Sequence, residues 1–202
     1  MDALLAFAQR IDRFNDRFGT LAAWAVLLSC FISAANALVR YGFSFSSNAF
    51  LEIQWYLFAA CVMLGAAQVL RLNEHVRVDL LYSRLGGRGK VWVDLFGFVV
   101  FLLPVMAYLG WLCWGQFIVK LSTGMGAGDS VASLGFAAYA TKLLTSGEVS
   151  SNAGGLIRWP AALTLPVGFA FVTLQGVAEV IKRVAWLQHR FDMDTHYERP
   201  LQ

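Results

Sequence analysis

The sequence has 202 residues, of which 58% are hydrophobic and 14% charged, with a net charge of +3. A soluble domain is about half apolar and about a quarter charged, so the apolar excess places this chain in the membrane class. A net charge this small gives no case for nucleic-acid binding, and the length suits a single domain over 1–202.

Residues 1–18 carry Leu4, Phe7, Ile11, Phe14 and Phe18 at helical spacing, with Arg10, Asp12, Arg13, Asp16 and Arg17 on other faces. That pattern predicts an amphipathic helix in the headgroup region. A helix packed on another protein is the equal alternative. The first span is 20–39, twenty uncharged residues, which at about 1.5 Å each cover a hydrocarbon core of about 30 Å. The arginines before it and the small residues Ser33, Ala34, Ala35 and Ala37 partly resemble a cleaved leader. Such a leader would be long and acidic, so a retained anchor is the expectation.

The second span is 50–70, opening with Glu52 and Gln54 and followed by Trp55 and Tyr56 at interface depth. Ala59, Ala60, Ala66 and Ala67 let a neighbouring helix approach closely. Residues 71–79 are too charged to cross a membrane. Leu80, Leu81 and Leu85 alternate with Arg77, Arg84 and Arg88, which predicts a short interfacial helix ending at Gly86 and Gly87. The third span lies at 93–117 within a longer apolar run, and Pro104 predicts a kink near its middle. Residues 120–158 form the longest connection, with a short, mildly apolar helix expected at 133–144. The fourth span is 159–181, where Pro160 suits a first turn and Pro166 a bend. A polar tail follows at 182–202.

The basic residues sort by side. Arg10, Arg13, Arg17, the 71–90 loop and the tail hold twelve of the sixteen Lys and Arg, leaving Arg40, Lys120, Lys142 and Arg158 opposite. The richer side stays cytoplasmic, so both termini are inside and the 120–158 loop is outside.

Little in the sequence suggests chemistry. Cys30, Cys61 and Cys113 lie in apolar runs without metal or disulfide spacing. His75, His189 and His196 all fall in polar segments, which disfavours haem ligation within the spans. Nucleophile–base arrangements, phosphate loops and dinucleotide fingerprints are absent. Polar residues at membrane depth are few, against the expectation for a channel or autonomous transporter. Glu52 reads as a hydrated residue at the outer interface beside Gln54, or as a partner contact. Asp94 and Glu179 read as local ion pairs with Lys90 and with Lys182 or Arg183, which are worth little when exposed.

Several segments resemble a known family. They are Glu52-Ile53-Gln54-Trp55-Tyr56-Leu57-Phe58, Leu64-Gly65-Ala66-Ala67 and Asn73-Glu74-His75-Val76-Arg77-Val78-Asp79. The later segments Gly147-Glu148-Val149-Ser150-Ser151-Asn152, Trp159-Pro160, Pro166-Val167-Gly168-Phe169 and Leu174-Gln175-Gly176 follow in order. Together, over about 20–185, the chain resembles the small permease (Q, DctQ-like) subunit of tripartite ATP-independent periplasmic (TRAP) transporters.

The resemblance implies an all-α membrane protein of four transmembrane helices in the bacterial inner membrane. It implies no enzyme activity and no cofactor in this chain, with Na+ bound by a large multispan M subunit. It also implies a periplasmic binding protein that delivers an organic acid, with membrane lipids as the remaining neighbours. Glu52, Gln54, Trp55, His75, Arg77, Asp79, Glu148, Ser150 and Gln175 then become candidate partner-interface residues. The outer loop at 122–146 is longer than the family pattern, which leaves its docking role open. The competing reading is a non-catalytic membrane anchor of another complex.

Overall fold

The computed structural model describes residues 1–45, 47–73 and 85–192. Four helices among them are long and apolar enough to cross a membrane: α1 (Asp2–Phe43), α2 (Asn48–Leu72), α3 (Gly87–Ser122) and α6 (Trp159–Leu187). Two short helices, α4 (Val131–Leu134) and α5 (Phe136–Thr145), lie in the long connection.

The N-terminal segment differs from expectation. Residues 1–18 are not a separate interfacial helix but the start of α1, which runs 42 residues without a break. At 1.5 Å per residue this is about 63 Å, twice the hydrocarbon thickness. Intramolecular packing explains the continuity. Ala8, Ile11, Asn15, Gly19 and Ala22 recur every three or four residues and are buried. Ala8 and Ile11 pack on Ala178 and Ile181 of α6. The larger residues Leu4, Phe7 and Phe14 are left exposed. The interfacial helix expected after the second span falls at residues outside those described.

The helix ends follow local chemistry. Ser47 caps α2, its Oγ accepting from the Ala49 N–H at 3.3 Å. Asn73 ends α2 in the left-handed region at φ 61°, a conformation Asn tolerates better than most residues. Within α3, residues Gly97–Leu102 form a π-helical turn just before Pro104. Pro104 has no N–H, and its ring would crowd the carbonyl four residues back. The wider turn relieves that conflict, with the Leu103 N–H reaching Phe98 O, five residues back. The single helix expected at 133–144 is split into α4 and α5 at Gly135, whose φ of 77° suits glycine alone.

α6 is the centre of the bundle. It packs against α1, α2 and α3, while α1 and α2 also pack on each other. Ala67 and Leu70 of α2, Phe98 of α3 and Val172 of α6 form the main core, with Leu102, Met106 and Phe171 around it. Phe14, Phe18 and Phe171 stack as a triangle with ring centroids 4.7 to 5.2 Å apart. The bundle is thin, and even α6 has only 33% of its most apolar window buried. Most of the apolar surface is therefore available to lipid or to another protein.

Close helix approach distinguishes two glycines. A Cβ on Gly168 of α6 would lie 2.5 Å from Met63 Cβ and 2.9 Å from Met63 O, atoms that move only with the α2 backbone. A Cβ on Gly19 would meet the far end of Gln68, a flexible side chain. Gly168→Ala is expected to destabilise the protein by about 1–3 kcal/mol and Gly19→Ala by much less. Thermal unfolding of the two variants in the same detergent checks this, and equal loss would contradict the packing.

Candidate functional site

Polar side chains gather in two clusters, one at each end of the bundle, called outer and inner after the sides expected from the basic residues. The outer cluster is built on the loop between α5 and α6. Residues 148–158 double back, with Val149 and Ile157 bridged in antiparallel fashion. The Ser150 N–H donates to Leu156 O at 2.9 Å, and the Arg158 N–H to Glu148 O at 2.8 Å. The Glu148 N–H donates to Lys120 O at 2.8 Å, which ties the loop to the end of α3. Gly154 makes the turn at φ 71°.

This loop folds over the first turns of α2, where Glu52 is only 4% exposed. Its carboxylate accepts from Ser150 Oγ, from Asn152 Nδ2 at 2.8 Å and from the Leu156 N–H at 2.7 Å. Glu52 is therefore not the hydrated interface residue that the sequence suggested. It fastens the loop to α2, and the loop donors replace the water it would otherwise need. Tyr56 Oη donates to Ile157 O at 3.3 Å, and Asn48 Nδ2 to Ala153 O at 2.9 Å.

Beside it, Glu148 accepts from Lys120 Nζ at 3.1 Å and from Arg158 Nη1 at 2.9 Å. These donors hold its carboxyl below the ordinary 4.5, Lys120 contributing most and Arg158 next. Earlier in the chain, Lys142 of α5 likewise lowers the Asp129 carboxyl, helped by the Gly126 N–H. A cavity of about 540 Å³ is lined by residues of α2, α3, α6 and the 148–158 loop. Its lining includes Glu52, Trp55, Gln116, Lys120 and Arg158.

The inner cluster joins α1, α3 and α6. Asn15 Nδ2 donates to Gln175 Oε1 at 2.7 Å, and both residues are fully buried. Gln175 Nε2 donates to Asp12 Oδ1 at 2.8 Å and to Glu179 Oε1 at 3.0 Å. Lys182 Nζ sits between Asp12 at 3.2 Å and Glu179 at 2.5 Å. Arg183 reaches Glu179 at 2.5 Å and Asp94 of α3 at 3.0 Å, with its guanidinium 4.5 Å from the centre of the Phe98 ring. On the adjoining face of α1, Asp16 pairs with Arg71 of α2 at 2.7 Å. The pairing of Glu179 with Lys182 and Arg183 is as expected, but its setting is not. Glu179 and Arg183 are each 5% exposed, so these are buried links between helices rather than surface pairs.

The candidate residues therefore separate. Glu52, Glu148 and Ser150 meet in the outer cluster, with exposed Trp55 at the cavity. Gln54 is half-buried, its carbonyl accepting from Ser29 Oγ of α1 at 3.4 Å. Gln175 belongs to the inner cluster. His75, Arg77 and Asp79 lie outside the described residues. The sequence reading missed Asn152, Arg158, Lys120, Asp12 and Asn15 as partners. Asn15 alone carried a signal, a polar residue on the small-residue face of α1. Among the described residues no group of three His, Cys, Asp or Glu side chains is placed to hold a metal ion.

The model of the DctQ component of tripartite ATP-independent periplasmic transporters matches residues 29–185, from the middle of α1 to the last turn of α6. The chain belongs to the DctQ family. It is a TRAP transporter membrane subunit and not an enzyme. No curated protein and no solved structure matches it. The family match spans the outer cluster completely and takes in Gln175, Glu179, Lys182 and Arg183 of the inner one, whereas Asp12 and Asn15 precede it.

Removing the Glu52 carboxylate leaves its loop donors without an acceptor. Glu52→Ala is expected to speed amide hydrogen exchange at Leu156 on the order of tenfold, read by mass spectrometry, with the core of α6 unchanged. The Glu148 carboxylate is bound in its ionised form. Its contribution is complete above pH 4.5 and fades as pH falls through the lowered folded value. Protection of 148–158 should weaken on acidification below 4.5 in the natural chain, and Glu148→Gln should be less protected at neutral pH and flatter across that range.

Proposed function

We propose that this chain is the fixed scaffold on which a large M subunit moves substrate, in sodium-coupled uptake of an organic acid delivered by a periplasmic binding protein. The observation that carries this reading is where the polar groups are used. Glu52 and Glu148 saturate one end of the bundle and Glu179, Arg183 and Asp94 bind the other, each within the chain. Such side chains hold helices in place. A transport pathway instead needs polar groups facing substrate or ion at membrane depth.

The orientation proposed is both termini in the cytoplasm of a cell with an inner membrane. The start of α1, the end of α2, the start of α3 and the end of α6 share one end of the bundle. Ala8 meets Ala178, Asp16 meets Arg71, and Arg88 lies 3.3 Å from His189. Among the described residues that end carries nine of the thirteen Lys and Arg, which assigns it to the cytoplasm. His75, Arg77 and Asp79 fall in sequence between α2 and α3, and we assign them to the M contact. Trp55, Trp111 and Trp114, all half or more exposed, supply aromatic surface toward the other end. Sodium and substrate sites are assigned to the M subunit.

Proteoliposome uptake tests the reading. This chain alone should move no substrate, and with the M subunit and binding protein it should support sodium-dependent uptake. Uptake by the chain alone would overturn it. His75→Ala, Arg77→Ala and Asp79→Ala should lower copurification with M severalfold while leaving substrate preference unchanged.

A further inference from the structure

We propose that the outward face of α1 holds the phosphate of an anionic phospholipid between Arg10, Arg13 and Arg17, with an acyl chain lying along Leu21, Trp24 and Leu28. At about 100° per residue the three arginines fall within an arc of about 60°. With Phe14 they line a hollow of about 250 Å³. All four side chains are exposed.

The charge there is uncompensated. Among the described residues, none of these arginines forms an ion pair. The carboxylates nearest in sequence are turned elsewhere, Asp12 to Lys182 and Asp16 to Arg71. Arg13 donates only to the Gln9 carbonyl one turn back, at 3.4 Å. Guanidinium groups match phosphate oxygens in paired hydrogen bonds, so a cluster without carboxylates favours a phosphodiester.

The same face continues into apolar surface. Leu21, Trp24, Leu28 and Phe31 follow the arginines at helical spacing and are 55%, 64%, 48% and 70% exposed. From Arg17 to Leu28 the helix rises about 16 Å, close to half of a hydrocarbon core of about 30 Å. A lipid has this order of parts: an anionic group joined to a chain one leaflet long. An acidic peptide from a partner would answer the arginines and leave the apolar stripe unexplained. Inorganic phosphate would do the same.

The test uses the full-length chain in mixed phosphatidylcholine–phosphatidylglycerol vesicles in which one lipid or the other carries brominated chains. Quenching of Trp24 is read as the difference between the natural chain and Trp24→Phe, so other tryptophans cancel. Brominated phosphatidylglycerol should quench Trp24 beyond its share of the vesicle. That preference should fall roughly fivefold for each arginine changed to Gln at low salt, shrink as salt is raised, and persist in part in the triple Lys variant. Arg40→Gln, at the other end of α1, should leave it unchanged. If the triple Gln variant does not insert, Arg13→Gln and Arg17→Gln separately give the same reading.

Equal quenching by the two lipids in the natural chain would overturn the proposal. So would a preference unaltered in the Gln variants, or one abolished by inorganic phosphate. Loss of M copurification in the Gln variants with lipid preference intact would assign the arginines to a protein contact instead. No partner protein is in the vesicle, so the result is independent of the scaffold reading.

Discussion

Arg183 is the side chain on which the inner half of the bundle depends. A guanidinium with 5% exposure is sustained only by the anions around it, here Glu179 on its own helix and Asp94 on α3, with the Phe98 ring against its face. Loss of a partner from a buried pair costs about 3–5 kcal/mol, because the remaining charge stays desolvated. Lys182 and Gln175 extend the arrangement to Asp12 and Asn15 on α1. One helix thus organises its neighbours through little more than two turns, from Gln175 to Arg183. Apolar packing between helices in lipid has no comparable directionality.

The outer end solves the same problem differently. There the anion sits on α2 and its donors come from a loop rather than from facing helices. The 148–158 segment has few apolar residues with which to hold itself down, so the Glu52 carboxylate and the Lys120–Glu148–Arg158 ion network supply the fixing points. Both ends are thus fastened within the chain, while the lipid-depth faces stay plain.

The four spans were legible because about twenty apolar residues in a row have few other readings, and the family was legible from short polar signatures beside them. The limits of the helices were not. Helix α1 extends through residues 2–18 and α6 through Leu187, since helical geometry outlasts the hydrocarbon where a face is packed. Glu52 was singled out, but its environment was misread. Its partners lie about a hundred residues away, and no periodicity links such distant positions. The Asn15–Gln175 bond, across 160 residues, is illegible for the same reason. The Gly135 break was not read from the sequence, and its positive φ explains why one expected helix becomes two.

The π-helical turn in α3 acts as a phase correction. Asp94 and Gly110 are sixteen residues apart, which in an ideal α-helix sets them about 160° apart, on nearly opposite sides. One extra residue accommodated in the turn takes back about 100°. Both positions then address α6: Asp94 binds Arg183, and Gly110 lies where a Cβ would come within 3.3 Å of Phe169 Cβ. The wide turn lets one helix keep an ionic grip below and a close steric fit above on the same neighbour. With regular winding throughout, one of those two grips would be rotated into the lipid.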